Sequence, residues 1–472
     1  MPPSPAYRPE PRFFDLGPEF ADAVAPADFP QAVLRFRNDR AAAEVGLEGL
    51  SEAEWIAAFG RFAPLPGQPG PIAMRYHGHQ FRQYNPDLGD GRGFLAAQMR
   101  DTSDRLLDLG TKGSGQTPWS RGGDGRLTLK GGVREVLAAS MLEALGTPTS
   151  RAFSLIETGE ALERGDEPSP TRSAVLVRLS HSHVRFGTFQ RAAYLGRVDQ
   201  IETLIEHVRG LYHPQVAAGD APGLLGAIVA ASAKLTARWI AAGFVHGVLN
   251  TDNLNVTGES FDYGPWRFLP SYQPGFTAAY FDQGGLYAFA RQPEAVFWNL
   301  TQLAGCLKLV ADAGPLTEAL NGFGPAYIRE LRAAFLMRLG VQSLGEAADQ
   351  RLLDATLALL RANSEGGDLR WEPLFFDWFG GFASSARALS GPRAKLYQGE
   401  AFDAFRFALM EHETDRIERL EHPMFAAREP EEMLIDEVEA IWAAIADADD
   451  WAPFQAKLVR LEAARAAWGF SG

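Results

Sequence analysis

The chain has 472 residues, of which 46% are hydrophobic and 22% are charged, and its formal net charge is −14. This composition excludes a disordered chain and allows a large core with two or three subdomains. The negative charge argues against general binding to nucleic acids or to anionic membranes. Cys306 is the single cysteine, which excludes an intrachain disulfide and a thiolate zinc site. With no apolar signal core and no run of eighteen apolar residues, we expect a cytoplasmic protein without a membrane span.

The N-terminal part of the chain is rich in proline. Residues 1–30 predict an extended arm on the surface. Ser51 and Glu54 have the spacing of a capping box, which predicts a short helix that ends near Ala58. A Pro/Gly-rich break follows, so we assign 1–70 to an extension that wraps the rest of the protein.

A hairpin is predicted after this break. The turn Gly89-Asp90-Gly91-Arg92 leads into a strand over Phe94–Met99, and Asp101–Asp104 reads as the hairpin turn. The return strand, Arg105–Thr111, ends at Lys112. An arginine beside a glycine turn suits a phosphate, although a turn-capping arginine is an equally good reading of the turn alone.

A glycine-rich segment over 110–132 follows the hairpin and contains the turn Asp124-Gly125. Glycines let backbone N–H groups approach an anion closely. The apolar periodicity then predicts a helix over Val133–Leu145, with Glu135 in its first turn. A strand lysine paired with a helix carboxylate is the way protein kinases hold a cation against nucleotide phosphates, so Lys112 and Glu135 form a candidate pair. The alternative is a solvated lysine and a glutamate that favours the helix start.

Two arginines follow in and after an apolar strand. The sequence Ser173–Ser180 predicts a strand buried on both faces, with Arg178 near its end and Arg185 shortly after it. A buried arginine needs an anion or an acidic partner. Together with Lys112 these arginines would suit a triphosphate, and a structural ion pair is the alternative.

The central stretch is Phe244–Gly264, to which a predicted helix over Leu224–Ala242 delivers the chain. His246 is followed by Asn253 and then by Asp262-Tyr-Gly, as in the catalytic loop and the Asp-Phe-Gly motif of protein kinases. An amide oxygen and a carboxylate can hold Mg²⁺ against phosphates, so Asn253 and Asp262 are the candidate metal ligands.

One position of this stretch departs from the kinase pattern. The kinase catalytic base sits two residues after the histidine, and here that residue is Val248. The nearby acid is Asp252, directly before the asparagine. Either Asp252 acts from another direction, or the protein binds nucleotide without transfer. We also expect Leu254 and Val256 to lie in a strand that brings Asp262 back towards the asparagine.

After Pro270 the periodicity predicts successive helices, at roughly 292–312, 326–339, 346–363, 398–413 and 430–468. The predicted fold class is therefore α+β, with two lobes. A mixed α/β N-terminal lobe would span 71–190, and a mostly helical C-terminal lobe with extra helices would span 191–472. The two lobes should meet in a cleft near Lys112 and Asp262.

These motifs together resemble the selenoprotein O family (SelO, also called YdiU) of pseudokinase-like protein adenylyltransferases. The resemblance covers most of the chain and is strongest over 75–145, 175–190 and 244–290, which include HGHQF, LGDGR, LGTKGSGQTPWSRGGDGR, REVL and LYAFARQP. It implies a kinase-like fold that binds ATP in a flipped orientation and transfers AMP to Ser, Thr or Tyr hydroxyls of proteins. Mg²⁺, or alternatively Mn²⁺, would be the cofactor.

The resemblance also implies roles for individual residues. Asp252 would be the general base, and Asn253 and Asp262 would bind the metal. The phosphate ligands would be Lys112, Arg178 and Arg185, with Glu135 as the partner of the lysine. The other nucleotide contacts would be Gly89, Gly91, Arg92, Asp124 and Gly125.

Alternatives to adenylyl transfer stay open at this point. They are a kinase that moves the γ-phosphate, a UTP- and Mn²⁺-dependent uridylyltransferase, and an inactive nucleotide-binding module. We expect a monomer whose partners are ATP and protein substrates. Many members of the family carry a C-terminal cysteine or selenocysteine, whereas this chain ends in WGFSG, so we expect no redox control by an intrachain disulfide.

Overall fold

The computed structural model describes residues 3–165, 167–364 and 369–470. The fold is mixed α+β, as the sequence predicts. The strands of the described residues are β1 (Arg8–Pro9), β2 (Ala21–Ala23), β3 (Val33–Arg37), β4 (Ile72–Met74), β5 (Gly78–Gln80), β6 (Gln83–Asn85), β7 (Leu95–Arg100), β8 (Leu106–Lys112), β9 (Leu127–Thr128), β10 (Arg151–Leu162), β11 (Thr171–Ser180), β12 (Phe244–Val245) and β13 (Arg267–Phe268).

The helices are more numerous towards the C-terminus. The α-helices of the described residues are α1 (Asp39–Glu44), α2 (Glu52–Phe59), α3 (Leu129–Ala144), α4 (Phe186–Tyr194), α5 (Val198–Tyr212), α6 (Ala221–Ala241), α7 (Gln292–Leu307), α8 (Ala313–Asn321), α9 (Phe323–Leu339), α10 (Glu346–Ala362), α11 (Trp371–Asp377), α12 (Ser385–Ser390), α13 (Glu400–Met410), α14 (Ile435–Ala448) and α15 (Ala452–Trp468).

A nine-stranded sheet forms the N-terminal half. Its order is β2-β4-β7-β8-β11-β10-β3, with β1 added to β7 and β9 added to β11, and its pairings are antiparallel. In the β8–β11 register, Lys112 faces Leu176 and Gly110 faces Arg178. Because alternate residues of a strand share a face, Lys112 and Arg178 project from the same face of the sheet.

Helix α3 covers this sheet and carries Glu135. The side chain of Thr128 accepts a hydrogen bond from the backbone of Gly131 and caps the helix. This cap starts the helix at Leu129, earlier than the apolar periodicity alone predicts. The apolar face of α3 is buried against β10 and β11 and against α15, and Glu135 is among the buried residues of this helix.

Several local predictions are confirmed. The capping box of Ser51 and Glu54 is present and starts α2. The hairpin of β7 and β8 has the predicted turn over Asp101–Asp104. The N-terminal arm is more integrated than we expected, because β1 and β2 join the sheet and Phe13 and Phe20 are buried.

Two predictions are wrong. Leu254 and Val256 do not form a strand, since the segment makes only an isolated bridge between Asn255 and Arg185. The helix predicted over 430–468 is divided into α14 and α15, because Asp449 adopts a left-handed conformation with φ of 48° and ends α14.

Helix α6 meets, by length and composition alone, the criteria for a membrane-spanning helix. However, 67% of its most apolar window is buried inside the protein. A core helix gives the same signal, and α6 packs against α7, α8 and α9.

Candidate active site

A cavity of about 680 Å³ lies where the sheet meets the segment that follows α6. Glu135 lies behind Lys112 and does not line it. The walls bring together the other candidate residues, namely Gly89, Gly91, Arg92, Lys112, Asp124, Gly125, Arg178, Arg185, Asp252, Asn253 and Asp262.

Lys112 ends β8 and points towards α3. Its Nζ donates a hydrogen bond to Oε1 of Glu135, and the side chain of Glu135 is only 3% exposed. The other oxygen of Glu135 lies 3.9 Å from Nη1 of Arg178. The buried carboxylate therefore fixes one cation and faces a second.

Asp262 is the centre of the buried charges. Its two oxygens accept from Nη1 of Arg178 at 2.5 Å and from Nη1 of Arg185 at 2.6 Å, and Nζ of Lys112 lies 3.4 Å away. Burial alone would raise the pKa of Asp262, but the three cations outweigh it and hold this pKa well below its usual value. Asp262 is therefore ionised at neutral pH.

Arg185 links this group to the catalytic loop. Its Nη1 also donates to the backbone oxygen of Asp252 at 2.6 Å, and its Nη2 lies 3.3 Å from Oδ1 of Asp90. The guanidinium stacks between Tyr76 and Phe261, with its carbon 4.7 and 4.8 Å from the two ring centres. These contacts fix the arginine from several sides.

We call Lys112, Arg178, Arg185, Glu135, Asp262 and Asp90 the deep charge cluster. It contains three cations and three carboxylates. Burial raises the pKa of Asp90, and the charge of Arg185 opposes this rise. The cluster is thus largely neutralised from within, which explains how so many charged groups can be buried together.

The catalytic loop carries the candidate base. Asp252 is buried, and its Oδ1 has no hydrogen-bond partner in the described chain. Burial raises the pKa of Asp252 to about 6. The residue is therefore mostly ionised at pH 7 and still basic enough to accept a proton.

His246 and Asn250 support this loop and do not face the cavity. Nε2 of His246 lies 3.0 Å from the backbone oxygen of Phe261, which ties the loop to the residue before Asp262. Oδ1 of Asn250 accepts from the backbone of Phe81 at 3.0 Å and from the hydroxyl of Tyr287 at 2.8 Å. His246 is thus a scaffold residue.

Two glycine-containing loops form the mouth of the cavity. A Cβ added at Gly89 would lie 2.4 Å from the Trp119 ring, and one at Gly91 would lie 2.8 Å from the Trp119 oxygen. The hydroxyl of Ser120 donates to the Gly91 oxygen at 2.5 Å, which joins the loops directly. The glycines at 89 and 91 are therefore required for loop-to-loop packing, whatever they do for a ligand.

The charged side chains of the mouth differ from those of the deep charge cluster. Asp124 pairs with Arg164 at 2.8 Å, and this pair is half-exposed. Arg92 and Arg121 are exposed, line the cavity, and form no ion pair with any acid of the described residues. They are the cations most available to a ligand.

Sequence reasoning missed several of these residues. Arg121 and Arg164 carry no motif of their own, although Arg121 stands inside the glycine-rich segment. Trp119 is recognisable only from its packing against the neighbouring loop. Asp90 lies within the predicted glycine turn, and its contact with Arg185 arises from tertiary structure.

The donors for a divalent cation are few but chemically suitable. Nδ2 of Asn253 donates to the Val248 oxygen at 2.9 Å, which leaves the amide oxygen as a possible metal ligand. The carboxylate of Asp262 is shared with two arginines. Among the described residues, no group of three or more His, Cys, Asp and Glu side chains could hold a metal. The residues fit a hard cation whose remaining ligands come from phosphates and water.

Comparison with known proteins places the chain in a family. The family model described as "Protein adenylyltransferase SelO" matches residues 6–462. The chain belongs to the SelO family. The SelO-family chain is 46% identical over 460 residues to a protein of Gloeobacter violaceus, with 96% of this chain and 94% of that protein covered.

Other relatives agree with this assignment. A protein of Synechocystis sp. is 43% identical over 484 residues and covers 96% of this chain and 97% of its own length. A protein of Myxococcus xanthus is 36% identical over 396 residues, covering 82% and 78%. All three are named "Protein nucleotidyltransferase YdiU". The SelO-family protein described here is therefore an enzyme of the nucleotidyltransferase class.

Proposed function

We propose that this enzyme transfers AMP from ATP to Ser, Thr or Tyr hydroxyls of proteins and releases pyrophosphate. The description of the matching family as a protein adenylyltransferase supports this proposal. The arrangement would be that of a two-lobed kinase fold with the nucleotide bound in the reverse orientation. In that orientation the α-phosphorus, and not the γ-phosphorus, faces the attacking hydroxyl.

One observation carries the proposal. Val248 stands where a kinase would have its base, and the carboxylate on the cavity wall is that of Asp252, four residues further on. Its Oδ1 is buried without a partner in the described chain. A base in a different place suits a nucleotide presented from a different direction.

The chain's own groups can carry out each part of the reaction. Asp252 accepts the proton of the attacking hydroxyl, whose oxygen forms a bond to the α-phosphorus. The bond from the α-phosphorus to the bridging oxygen breaks, and its electron pair leaves with pyrophosphate. The cations of the deep charge cluster, Lys112, Arg178 and Arg185, balance the charge of this leaving group.

Asn253 and Asp262 would hold the divalent cation, for which we propose Mg²⁺, with Mn²⁺ as a second candidate. A bound cation would neutralise part of the phosphate charge. EDTA should therefore abolish transfer, and added Mg²⁺ should restore it.

The remaining expectations form part of the same proposal. The division at residues 70 and 190, a cytoplasmic location, a monomeric state, and the absence of nucleic-acid or membrane partners follow from composition and motif order.

The experiment uses the purified protein with Mg²⁺, a generic protein acceptor such as casein, and ATP labelled on either the α- or the γ-phosphate. We expect α-label on the acceptor or on the enzyme itself, and no γ-label. The Asp252→Asn variant, which keeps the shape of the side chain, should lose transfer by at least about 1,000-fold while still binding ATP.

The other outcomes decide against the proposal. Transfer of γ-label would identify a kinase, and transfer only from UTP with Mn²⁺ would identify a uridylyltransferase. ATP binding without transfer of either label to any acceptor would favour a nucleotide-binding module. An Asp124→Asn variant serves as a control for the loss of a carboxylate at the cavity mouth and should retain far more transfer than Asp252→Asn.

A further inference from the structure

Arg121 lies on the glycine-rich loop at the mouth of the cavity that the catalytic loop also lines. It is exposed, it lines the cavity, and no acid of the described residues pairs with it. The neighbouring arginines of the loop region differ in this respect, since Arg126 is held by Glu160 at 2.8 Å and Arg164 is held by Asp124. Arg121 is therefore a cation of the mouth that no acid in residues 3–165, 167–364 and 369–470 neutralises.

The backbone around Arg121 is held firmly although the side chain is exposed. Arg121 adopts a left-handed conformation with φ of 51°, which is unusual for a residue other than glycine. On one side, Ser120 is tied to the Gly91 oxygen. Thr117 donates to the Asp90 oxygen at 2.6 Å, which anchors the start of the loop. The backbone that carries the Arg121 guanidinium is therefore held in place by hydrogen bonds. Strained backbone of this kind clusters at functional sites.

The position of Arg121 is defined relative to Asp252. Both line the same cavity. Burial raises the pKa of Asp252, and the charge of Arg185 and, to a smaller extent, that of Arg121 oppose this rise. Arg185, which belongs to the deep charge cluster, donates to the backbone oxygen of Asp252 at 2.6 Å. Arg121 is thus an exposed cation that lines the same cavity as the candidate base.

The charge balance of the cavity distinguishes Arg121 from the deep cations. The three deep cations already face three carboxylates, so their charge is largely compensated before a nucleotide arrives. A phosphoryl group that is attacked near Asp252 gains charge on its non-bridging oxygens. An uncompensated guanidinium beside that point stabilises this charge far better than a compensated one.

We propose that Arg121 is a further catalytic residue, whose guanidinium contacts the non-bridging oxygens of the phosphoryl group that is being transferred. This rests on the proposed adenylyl transfer. The oxygen–phosphorus bond to the acceptor forms, the bond to pyrophosphate breaks, and the acceptor proton goes to Asp252. Arg121 stays protonated throughout and exchanges no proton or electron.

The test measures steady-state transfer of α-label by Arg121→Met, Arg121→Lys and Arg121→Ala. A transition-state contact predicts that Arg121→Met lowers kcat by about 100-fold or more, while KM for ATP changes by less than about threefold. Arg121→Lys should recover part of the loss, because it restores charge but not the planar fork. Added guanidinium ion should raise the rate of Arg121→Ala and leave the wild type unchanged.

The control is Arg197→Met, which removes an exposed arginine paired with Asp199 at 2.8 Å outside the cavity. Its kcat should equal that of the wild type. Thermal unfolding and ATP binding of each Arg121 variant should match the wild type, which separates chemistry from a structural effect.

The results distinguish the two proposals. If the wild type transfers α-label but Arg121→Met keeps its kcat, or changes only KM, the catalytic role of Arg121 is overturned and adenylyl transfer stands. Loss of folding in Arg121→Met with no guanidinium rescue of Arg121→Ala would also overturn it, in favour of a structural role. If the wild type transfers no α-label, both proposals fail together.

Discussion

The cations of the deep charge cluster and those at the mouth of the cavity differ in their exposure and in whether a carboxylate pairs with them. In the deep cluster every cation has a carboxylate partner, and the side chain of Arg178 is only 6% exposed. At the mouth, Arg92 and Arg121 are exposed and have no acidic partner in the described chain. Compensated cations are fixed in place but weakened, whereas uncompensated cations keep their full charge for a ligand. The two kinds of cation are therefore complementary, because a carboxylate that fixes the position of a cation also reduces the charge that the cation offers to a ligand.

The largest effect should come from removing the centre of the deep cluster. Asp262→Asn leaves three buried cations around a neutral side chain. We expect transfer to fall by more than about 1,000-fold and the free energy of unfolding to fall by about 3–5 kcal/mol. Labelled transfer and denaturant unfolding measure the two effects. Wild-type stability in this variant would show that the cluster is not mutually compensated.

A smaller effect should separate the charge of Lys112 from its structural role. Lys112→Met should lower transfer by about 100-fold and also destabilise the fold, because Glu135 then stays buried without its main cation. The double variant Lys112→Met/Glu135→Gln should regain stability but not transfer. Equal stability of the single and double variants would contradict the pairing argument.

At the mouth, the loss of one cation should leave the fold unchanged. Arg92→Met should raise KM for ATP by about tenfold, which corresponds to about 1.4 kcal/mol, and should change the free energy of unfolding by less than about 0.5 kcal/mol. Steady-state kinetics and denaturant unfolding provide the readouts. A large loss of stability would mean that the fold depends on the charge of Arg92 as it does on the charges of the deep charge cluster.

The smallest effect on transfer is expected at Glu259, a partly buried carboxylate with no cation in contact among the described residues. Burial raises the pKa of Glu259 to about 7, although the charges of Arg151 and Arg105 oppose it. Because this folded-state pKa lies above the unfolded value, protonated Glu259 is favoured in the folded protein. Its contribution to the free energy of unfolding is therefore complete below about pH 4.5, where the carboxyl is protonated in both states. This contribution to the free energy of unfolding is lost as the pH rises through 7.

Glu259→Gln should therefore be more stable relative to the wild type at pH 8.5 than at pH 5. Denaturant unfolding at the two pH values measures the difference, and a difference of the opposite sign would show that Glu259 is paired. Asp262, which burial and three cations act on together, shows the reverse shift.

What the sequence could predict depends on the range of the interactions. The capping box at Ser51 and the hairpin that ends at Lys112 follow local rules, and both are present. The resemblance to a family located the wall residues of the cavity, because it uses long motifs. The run Leu254 to Val256 lies within the resemblance, but the strand assigned to it rested on its apolar residues alone, and the segment is irregular.

The rest could not be read from local patterns. The ion pairs of Asp262 join residues from β11 and from the loop after it, so they exist only once the sheet has formed. The break between α14 and α15 depends on the backbone of Asp449 and on its contact with the Trp451 indole. The proposal for Arg121 depends on the absence of an acidic partner among the described residues, which no sequence pattern displays.

The packing of Trp119 against Gly89 and Gly91 has a consequence for how the enzyme can change over evolutionary time. The indole occupies the space that a side chain at Gly89 would need. A substitution at that glycine is therefore accessible to descendants mainly after the tryptophan has been replaced by a smaller residue. The two loops should be inherited as one unit, and their residues should co-vary among relatives even where the bound nucleotide stays the same.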